Sequence, residues 1–124
     1  MFKGLRTVIF RVQTEDLEKA KLWYTKFLGK SPYFDQPFYV GFNIGGFEFG
    51  LNPTKEKIVL GNNVETYLGV ANITTSLQTA LKLGAKVVSN IQDVGDDIRV
   101  ATISDPLGNI LGLIENPNFK IEKN

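Results

Sequence analysis

TEDLEKAKLWYTKFLG (Thr14–Gly29) and TTSLQTALKLG (Thr74–Gly84) are two renderings of one segment. Thr14, Leu17 and Ala20 recur at the same spacing as Thr74, Leu77 and Ala80, and each copy runs on to a Leu-Gly pair, Leu28-Gly29 and Leu83-Gly84. Further along, each repeat closes on Asn-Pro, at Asn52-Pro53 and at Asn116-Pro117. In the first copy Leu17, Ala20, Tyr24, Phe27 and Leu28 fall at helical spacing. Thr14 suits the N-cap, Glu15 and Asp16 suit the positive end of the helix dipole, and Gly29 supplies the left-handed residue that stops the helix. In the second copy Thr74 or Thr75 is the expected cap, Leu77, Ala80 and Leu81 form the apolar side, and Gly84 ends the helix. An internal duplication therefore governs the fold.

Working outward from the helices, residues 5–13 (LRTVIFRVQ) are rich in β-branched and aromatic side chains and read as a strand. Ser31–Asp35 reads as a short strand broken by Pro37. Residues 38–44 and 47–52 form a hairpin around Gly45-Gly46, a two-residue turn of the kind that right-twisted strands prefer. Lys55–Asn63 is a polar linker carrying a small apolar patch, Ile58-Val59-Leu60. The second copy opens with a strand near 65–72, and Lys86–Gln92 and Ile98–Ser104 are further strands. Asp105-Pro106-Leu107-Gly108 is a tight turn with proline at its second position, and Asn109–Glu115 is the last strand. The polar tail after Pro117 is expected to fray.

The composition excludes several kinds of chemistry. The chain has 124 residues, 43% of them apolar and 22% charged, the balance of a globular protein. Fourteen basic and thirteen acidic residues leave a net charge of +1; they are scattered, so no basic stripe argues for nucleic acid. No apolar run reaches the length of a membrane span. The opening MFKGLRTVIFRV lacks the apolar stretch and cleavage site of a signal peptide, which favours a cytoplasmic location. There is no cysteine and no histidine. Disulfides, thiol nucleophiles and thiolate metal sites are thereby excluded, and so is a Ser-His nucleophile.

Two tandem βαβββ modules, with DLEKAKLWYTKFLGK (Asp16–Lys30) as the first helix and the second module closing on DPLGNILGLIEN (Asp105–Asn116), resemble the vicinal oxygen chelate superfamily. That superfamily includes glyoxalase I, bleomycin-resistance proteins, fosfomycin-resistance enzymes and extradiol dioxygenases. The resemblance implies an α+β fold in which the two modules form a curved mixed sheet around a concave cavity. A single glyoxalase-like domain would span 1–124, with module one at about 5–53, a linker at 54–63 and module two at about 64–117. In the metal-dependent members each module gives one ligand from its first strand and one, usually Glu, from its last. Laid on that pattern, the four positions here are Thr7, Glu48, Tyr67 and Gly112, and only Glu48 matches. A divalent ion needs at least three good protein donors. Glu115, the nearest acid to Gly112, falls on the opposite face of an alternating strand. The expectation is a metal-free member with no cofactor.

Alternation along each strand then sorts helix-side from cavity-side residues. Thr7, Ile9, Arg11, Tyr39, Gly41, Asn43, Glu48, Gly50 and Asn52 are expected to face the cavity in module one. Tyr67, Gly69, Ala71, Ile110, Gly112 and Ile114 are expected there in module two, with Arg99 less securely placed. Glycines at 41, 50, 69 and 112 would leave volume for a partly apolar small molecule. The candidate ligand-binding residues are Thr7, Arg11, Tyr39, Asn43, Glu48, Asn52, Tyr67, Arg99 and Gly112. Arg11 and Glu48 could instead neutralise each other as a buried pair, and Trp23 is expected at the surface or in an interface. Three functional readings stay open. The leading one is a small-molecule-binding protein that holds its ligand without transforming it. The alternative is a metal-independent lyase or isomerase, with Glu48 as general base and Arg11, Tyr67 or Arg99 steadying an oxyanion. A regulatory domain whose ligand signals to a partner is the third. A C2 homodimer is expected, with Trp23 or the Ile58–Leu60 patch near the contact.

Overall fold

A computed structural model describes residues 7–60 and 65–118. The expected strand residues 5–6, the end of the linker at 61–63 and the tail beyond 118 lie outside the described residues. The chain divides into two compact units, Met1–Leu60 and Gly61–Asn124. The first unit runs β1 (Thr7–Gln13), a 3-10 turn at Thr14–Asp16, α1 (Leu17–Leu28), β2 (Phe34–Gln36), β3 (Tyr39–Ile44) and β4 (Phe47–Thr54). The second runs β5 (Tyr67–Gly69), α2 (Ile73–Lys82), β6 (Lys86–Asp93), β7 (Arg99–Ser104) and β8 (Ile110–Glu115). Each is a βαβββ module in an α+β fold, and each builds a four-stranded mixed sheet, ordered β1-β4-β3-β2 and β5-β8-β7-β6. The first strand of each module lies parallel to its last, and the other pairings are antiparallel.

Local chemistry explains the boundaries, including those that differ from the sequence reading. Thr14 sits in the 3-10 turn and does not cap the helix, which begins at Leu17 behind Asp16. The α2 cap is Asn72, whose Oδ1 accepts from the Thr75 N–H at 3.0 Å, so Thr74 and Thr75 lie inside the first turn. Asn is at least as good an N-cap as Thr, and here it comes two residues earlier. The Ile73 N–H is satisfied from a distance by Glu115 on β8, at 2.8 Å. Gly29 ends α1 at φ 70°. Gly45 and Gly46, at φ 59° and 90°, make the β3–β4 turn and pair Ile44 with Phe47. The strand expected at Ser31–Asp35 is shifted to Phe34–Gln36. Pro37 does not merely break it: Pro37-Phe38 is a tight connection that pairs Gln36 with Tyr39. The strand expected at 65–72 is shorter, at Tyr67–Gly69.

The two cores differ in character. In the first unit Tyr24 of α1 and Phe42 and Phe49 of the sheet are fully buried. Phe49 meets Tyr24 at 4.9 Å and Phe10, edge-on, at 5.6 Å between ring centroids. Trp23 is buried as well, edge-on to Tyr24 at 4.8 Å and tilted against Phe27 at 4.9 Å between ring centroids, so it is a core residue and not a surface one. The second unit is aliphatic: Ile73, Leu77 and Ala80 of α2 pack with Ala101, Ile103, Leu111 and Leu113. Its turn at Asp105–Gly108 is held by the buried Asp105 carboxylate. Oδ1 accepts from the backbone N–H groups of Leu107 (2.8 Å) and Asn109 (2.9 Å), and Oδ2 accepts from the Asn109 amide (3.0 Å). No helix among the described residues is long and apolar enough to cross a membrane.

Candidate functional site

The parallel pairings fix which residues of the two modules correspond. Thr7 on β1 lies beside Glu48 on β4, and Tyr67 on β5 lies beside Gly112 on β8. These are the four positions at which metal-dependent relatives would carry ligands. They supply one carboxylate, two hydroxyls and no side chain at all. Among the described residues no three acids, histidines or cysteines cluster in a way that could hold a metal. This donor set does not fit a divalent ion.

Glu48 is instead the acceptor of two phenols. The Tyr33 hydroxyl donates to Oε1 at 2.6 Å and the Tyr39 hydroxyl donates to Oε2 at 2.5 Å. Short O–H···O⁻ bonds of this kind are among the stronger hydrogen bonds in proteins. Tyr33 reaches Glu48 because its backbone N–H bonds to the Gly41 carbonyl (3.0 Å), extending the β2–β3 pairing by one step. Tyr39 arrives from the start of β3, across the sheet from Glu48's strand. Burial first, and then the bond to Glu48, push the Tyr39 hydroxyl well above the ordinary tyrosine range. The exposed Tyr33 hydroxyl is raised chiefly by its bond to Glu48. Both are therefore protonated donors at neutral pH. Each Glu48 oxygen retains further acceptor capacity toward a ligand.

The glycines do not leave the volume expected of them. A Cβ on Gly50 would collide with the Tyr39 ring, coming within 2.6 Å of Cζ and 2.8 Å of Cε1. A Cβ on Gly41 would lie 2.7 Å from Glu48 Oε2 and 3.1 Å from Tyr39. On β8, Gly112 lies under the Tyr67 ring, 2.8 Å from Cγ to the same imagined Cβ and closer still to Cδ1. Only Gly69 of the four has open space around that position. In each sheet, then, glycine seats a tyrosine ring flat on the strand. The Tyr67 hydroxyl donates to Glu65 at 3.1 Å, and burial first and this bond second raise its pKa.

The remaining candidates are dispersed. Arg11 does not pair with Glu48: it lies opposite Asn52, and its guanidinium approaches Glu56 at 3.7 Å with both side chains largely exposed. Strand β1 places Arg11 two pairing steps beyond Ile9 and four beyond Thr7, the neighbour of Glu48, which is too far along the sheet for the buried pair. Asn43 is opposite Glu48, but its Oδ1 is taken by the Gly46 N–H (2.9 Å), which braces the hairpin. Asn52 is exposed on β4. Arg99 begins β7, opposite both Asp93 and Glu115. Tyr33 was not among the sequence candidates, and neither was Gln13. The Gln13 amide donates to the Thr54 and Glu56 carbonyls, and its oxygen accepts from the Ile58 N–H, clasping the chain that leaves β4. The one signal for Tyr33 was the Pro37-Phe38 turn, which sets the register carrying it to Gly41.

The sequence matches no family model and no curated protein. The fold, in contrast, matches solved structures along nearly its whole length. A glyoxalase-related enzyme from Fulvimarina pelagi aligns with a TM-score of 0.78 at 15% identity, covering 98% of this chain and 94% of that one. A glyoxalase/bleomycin resistance protein from Albidiferax ferrireducens T118 aligns with a TM-score of 0.75 at 17% identity, over 91% and 98%. A glyoxalase/bleomycin resistance protein/dioxygenase family enzyme from Burkholderia phytofirmans PsJN gives 0.73 at 14%, over 88% and 95%. At these identities it is the fold that is shared, a glyoxalase/bleomycin-resistance-like α+β fold.

Proposed function

We propose that this protein binds a partly apolar small molecule on the open face of its first sheet, without a metal, and holds it without transforming it. The observation that carries this reading is the Tyr33–Glu48–Tyr39 arrangement. A polar anchor is fixed by two short hydrogen bonds at the position where a metal-dependent relative would need a free ligand. Around it stand the exposed apolar and aromatic side chains Ile9, Phe34 and Phe38. A few positioned polar groups among apolar ones are what small-molecule sites are made of. Thr7 flanks the anchor on the same face as a candidate contact, with Arg11 and Asn52 further along, opposite each other. Tyr67 and Gly112 belong to the second unit and enter the reading as the corresponding, ring-covered face of the second sheet; Arg99, expected on that face, is paired across the strands with Glu115 and lies on the other one. A thermal-shift screen against amphipathic and aromatic compounds tests this, because a ligand of the native state raises the melting temperature. Zn, Ni, Mn and Fe are expected to give no shift, and a dose-dependent rise with one of them, lost in Glu48→Ala, would refute the metal-free reading.

The short phenol–carboxylate contacts favour one second reading, a metal-independent lyase or isomerase. A carboxylate beside two protonated phenols offers a proton acceptor and two donors in one place. The fate of a ligand found in that screen separates the two, since a holding protein releases it unchanged whereas an enzyme converts it and loses that turnover in Glu48→Gln. The proposal includes a cytoplasmic location, which cell fractionation checks. It also includes a homodimer whose contact uses the exposed Val59 and Leu60 of the linker; light scattering at micromolar concentration would contradict this with a monomeric mass.

A further inference from the structure

Glu48 is half-buried, and among the described residues its hydrogen-bond partners are the two neutral phenols. Among the described residues the ion pairs are Arg11 with Glu56 and Lys21 with Glu18 and Asp35, so no Lys or Arg nitrogen lies within 4.0 Å of the Glu48 carboxylate. Lys30, near the same sheet, gives its ammonium to the Asn43 carbonyl at 2.7 Å. A partly desolvated carboxylate without a cation is uncommon, because charge taken out of water is ordinarily paired. Here two phenol hydroxyls do part of that work, and no cation among the described residues does the rest.

The rings around it point to what would compensate it. Tyr33 is 64% exposed and Phe38 66%. Phe34 stands 6.5 Å from the Tyr33 ring, 6.1 Å from Tyr39 and 5.8 Å, edge-on, from Phe38. Phe34 is paired across the strands with Gly41, whose missing side chain lets Glu48 and both tyrosines converge. Exposed aromatic faces grouped about one anionic group are the arrangement that attracts organic cations, through the negative face of the ring and the charge together.

We infer that the ligand class of this site is an organic cation, an ammonium or guanidinium group on an apolar body, with the charge against Glu48 between Tyr33 and Tyr39 and the body against Phe34 and Phe38. The inference rests on the small-molecule-binding reading above and narrows it. An anionic ligand is disfavoured by Glu48, and a neutral one leaves the carboxylate uncompensated.

The test uses three probes of one shape: 2-phenylethylamine, 2-phenylethanol and 3-phenylpropionate, titrated into the full-length chain by calorimetry at low and moderate salt. The amine is expected to bind at least about tenfold more tightly than the alcohol, the scale of one partly desolvated charge contact. Its affinity is expected to fall with salt while that of the alcohol does not. Glu48→Gln should bring amine and alcohol to within about twofold of each other, and Tyr33→Ala, which removes part of the aromatic wall, should weaken both. Alcohol or propionate binding as tightly as the amine to the unsubstituted protein would overturn the cation inference and leave the binding reading standing. An amine preference that survives Glu48→Gln would overturn it too, by showing that the charge is recognised elsewhere. If no probe of any of the three classes binds, and a broad thermal-shift screen is silent, the binding reading itself falls.

Discussion

Gly50→Ala adds one methyl group to a strand and is expected to cost far more than a methyl group ordinarily does. Gly50 is buried in β4 between Ile9 of β1 and Gly41 of β3, in a backbone conformation open to any residue, so alanine is not strained there. The new Cβ falls inside the Tyr39 ring, 2.6 Å from Cζ and closer to the hydroxyl oxygen. The ring must lift, and lifting it breaks the 2.5 Å bond to Glu48. A hydrogen bond to a charged group contributes about 1.5–3 kcal/mol, the lower end applying to a partly buried pair. Displacing the ring adds about 1 kcal/mol of overpacking, and alanine returns about 0.5–1 kcal/mol through its lower conformational entropy in the unfolded chain. The net expectation is a loss of about 1.5–3.5 kcal/mol. In a Tyr39→Ala background the obstacle is gone, and the same Gly50→Ala substitution should be neutral or stabilising by about 0.5 kcal/mol. Urea unfolding followed by the fluorescence of Trp23, the single tryptophan, gives all four corners of the cycle, with a coupling of at least about 1 kcal/mol expected. If Gly50→Ala costs under about 0.5 kcal/mol in the parent chain, or the same amount in both backgrounds, then Tyr39 is not seated on Gly50 and the account of the glycines is wrong.

Gly112→Leu is expected to evict the Tyr67 ring and destabilise the second unit by about 1–3 kcal/mol, with most of that cost recovered in the Tyr67→Ala double variant; equal losses in both would refute the ring-on-glycine packing there. Asp105→Ala removes the acceptor of three hydrogen bonds from a buried turn and should cost about 2–4 kcal/mol by denaturant titration, while Asp105→Asn keeps part of that set and should cost less. Alkaline stability carries the signature of Tyr39. The folded state holds its proton above the ordinary tyrosine pKa, chiefly through burial, while the unfolded chain loses it near about 10. Proton loss then favours the unfolded state, so stability should fall as pH rises beyond about 10, and Tyr39→Phe should fall less steeply over the same interval. Identical slopes for the two proteins would refute the assignment.

The modules were legible because repetition and alternation are properties of a string. The Leu17–Ala20 and Leu77–Ala80 spacing, the Gly45-Gly46 turn and the stop at Gly29 each act through neighbours in sequence. Alternation also separates the Thr7, Glu48 and Tyr39 face from the Phe10 and Phe49 face. What it does not encode is how a long side chain lies once it is on a face. Tyr39 and Tyr67 lean along the sheet onto Gly50 and Gly112, so the places that read as space are filled by the residues that read as walls. Competition among equals hides other details: Asn72 and Thr74 are both good caps, and only the chain path from β5 decides between them. The Arg11–Glu48 pair fails for a register reason, since both lie on one face but at different heights along β1 and β4. Tyr33 went unnoticed because its reach depends on a proline turn that reads as an interruption.

Each sheet is closed by its own ends. Among the described residues β1 bonds only to β4, and β5 only to β8, so the opening strand of each module waits for the last one before its ladder can form. The hairpins β3–β4 and β7–β8 are local and can form within microseconds. The parallel closures join residues as distant as Thr7 and Glu48, or Tyr67 and Gly112, and carry the loop entropy of everything between. Assembly of each module is therefore ordered, hairpin first and parallel edge last, and its undoing starts at that same edge. Amide exchange should find β5, three residues long with a single neighbour, as the first strand to open. A chain cut before Ile110 should lose β5 along with β8, although every residue of β5 is still present.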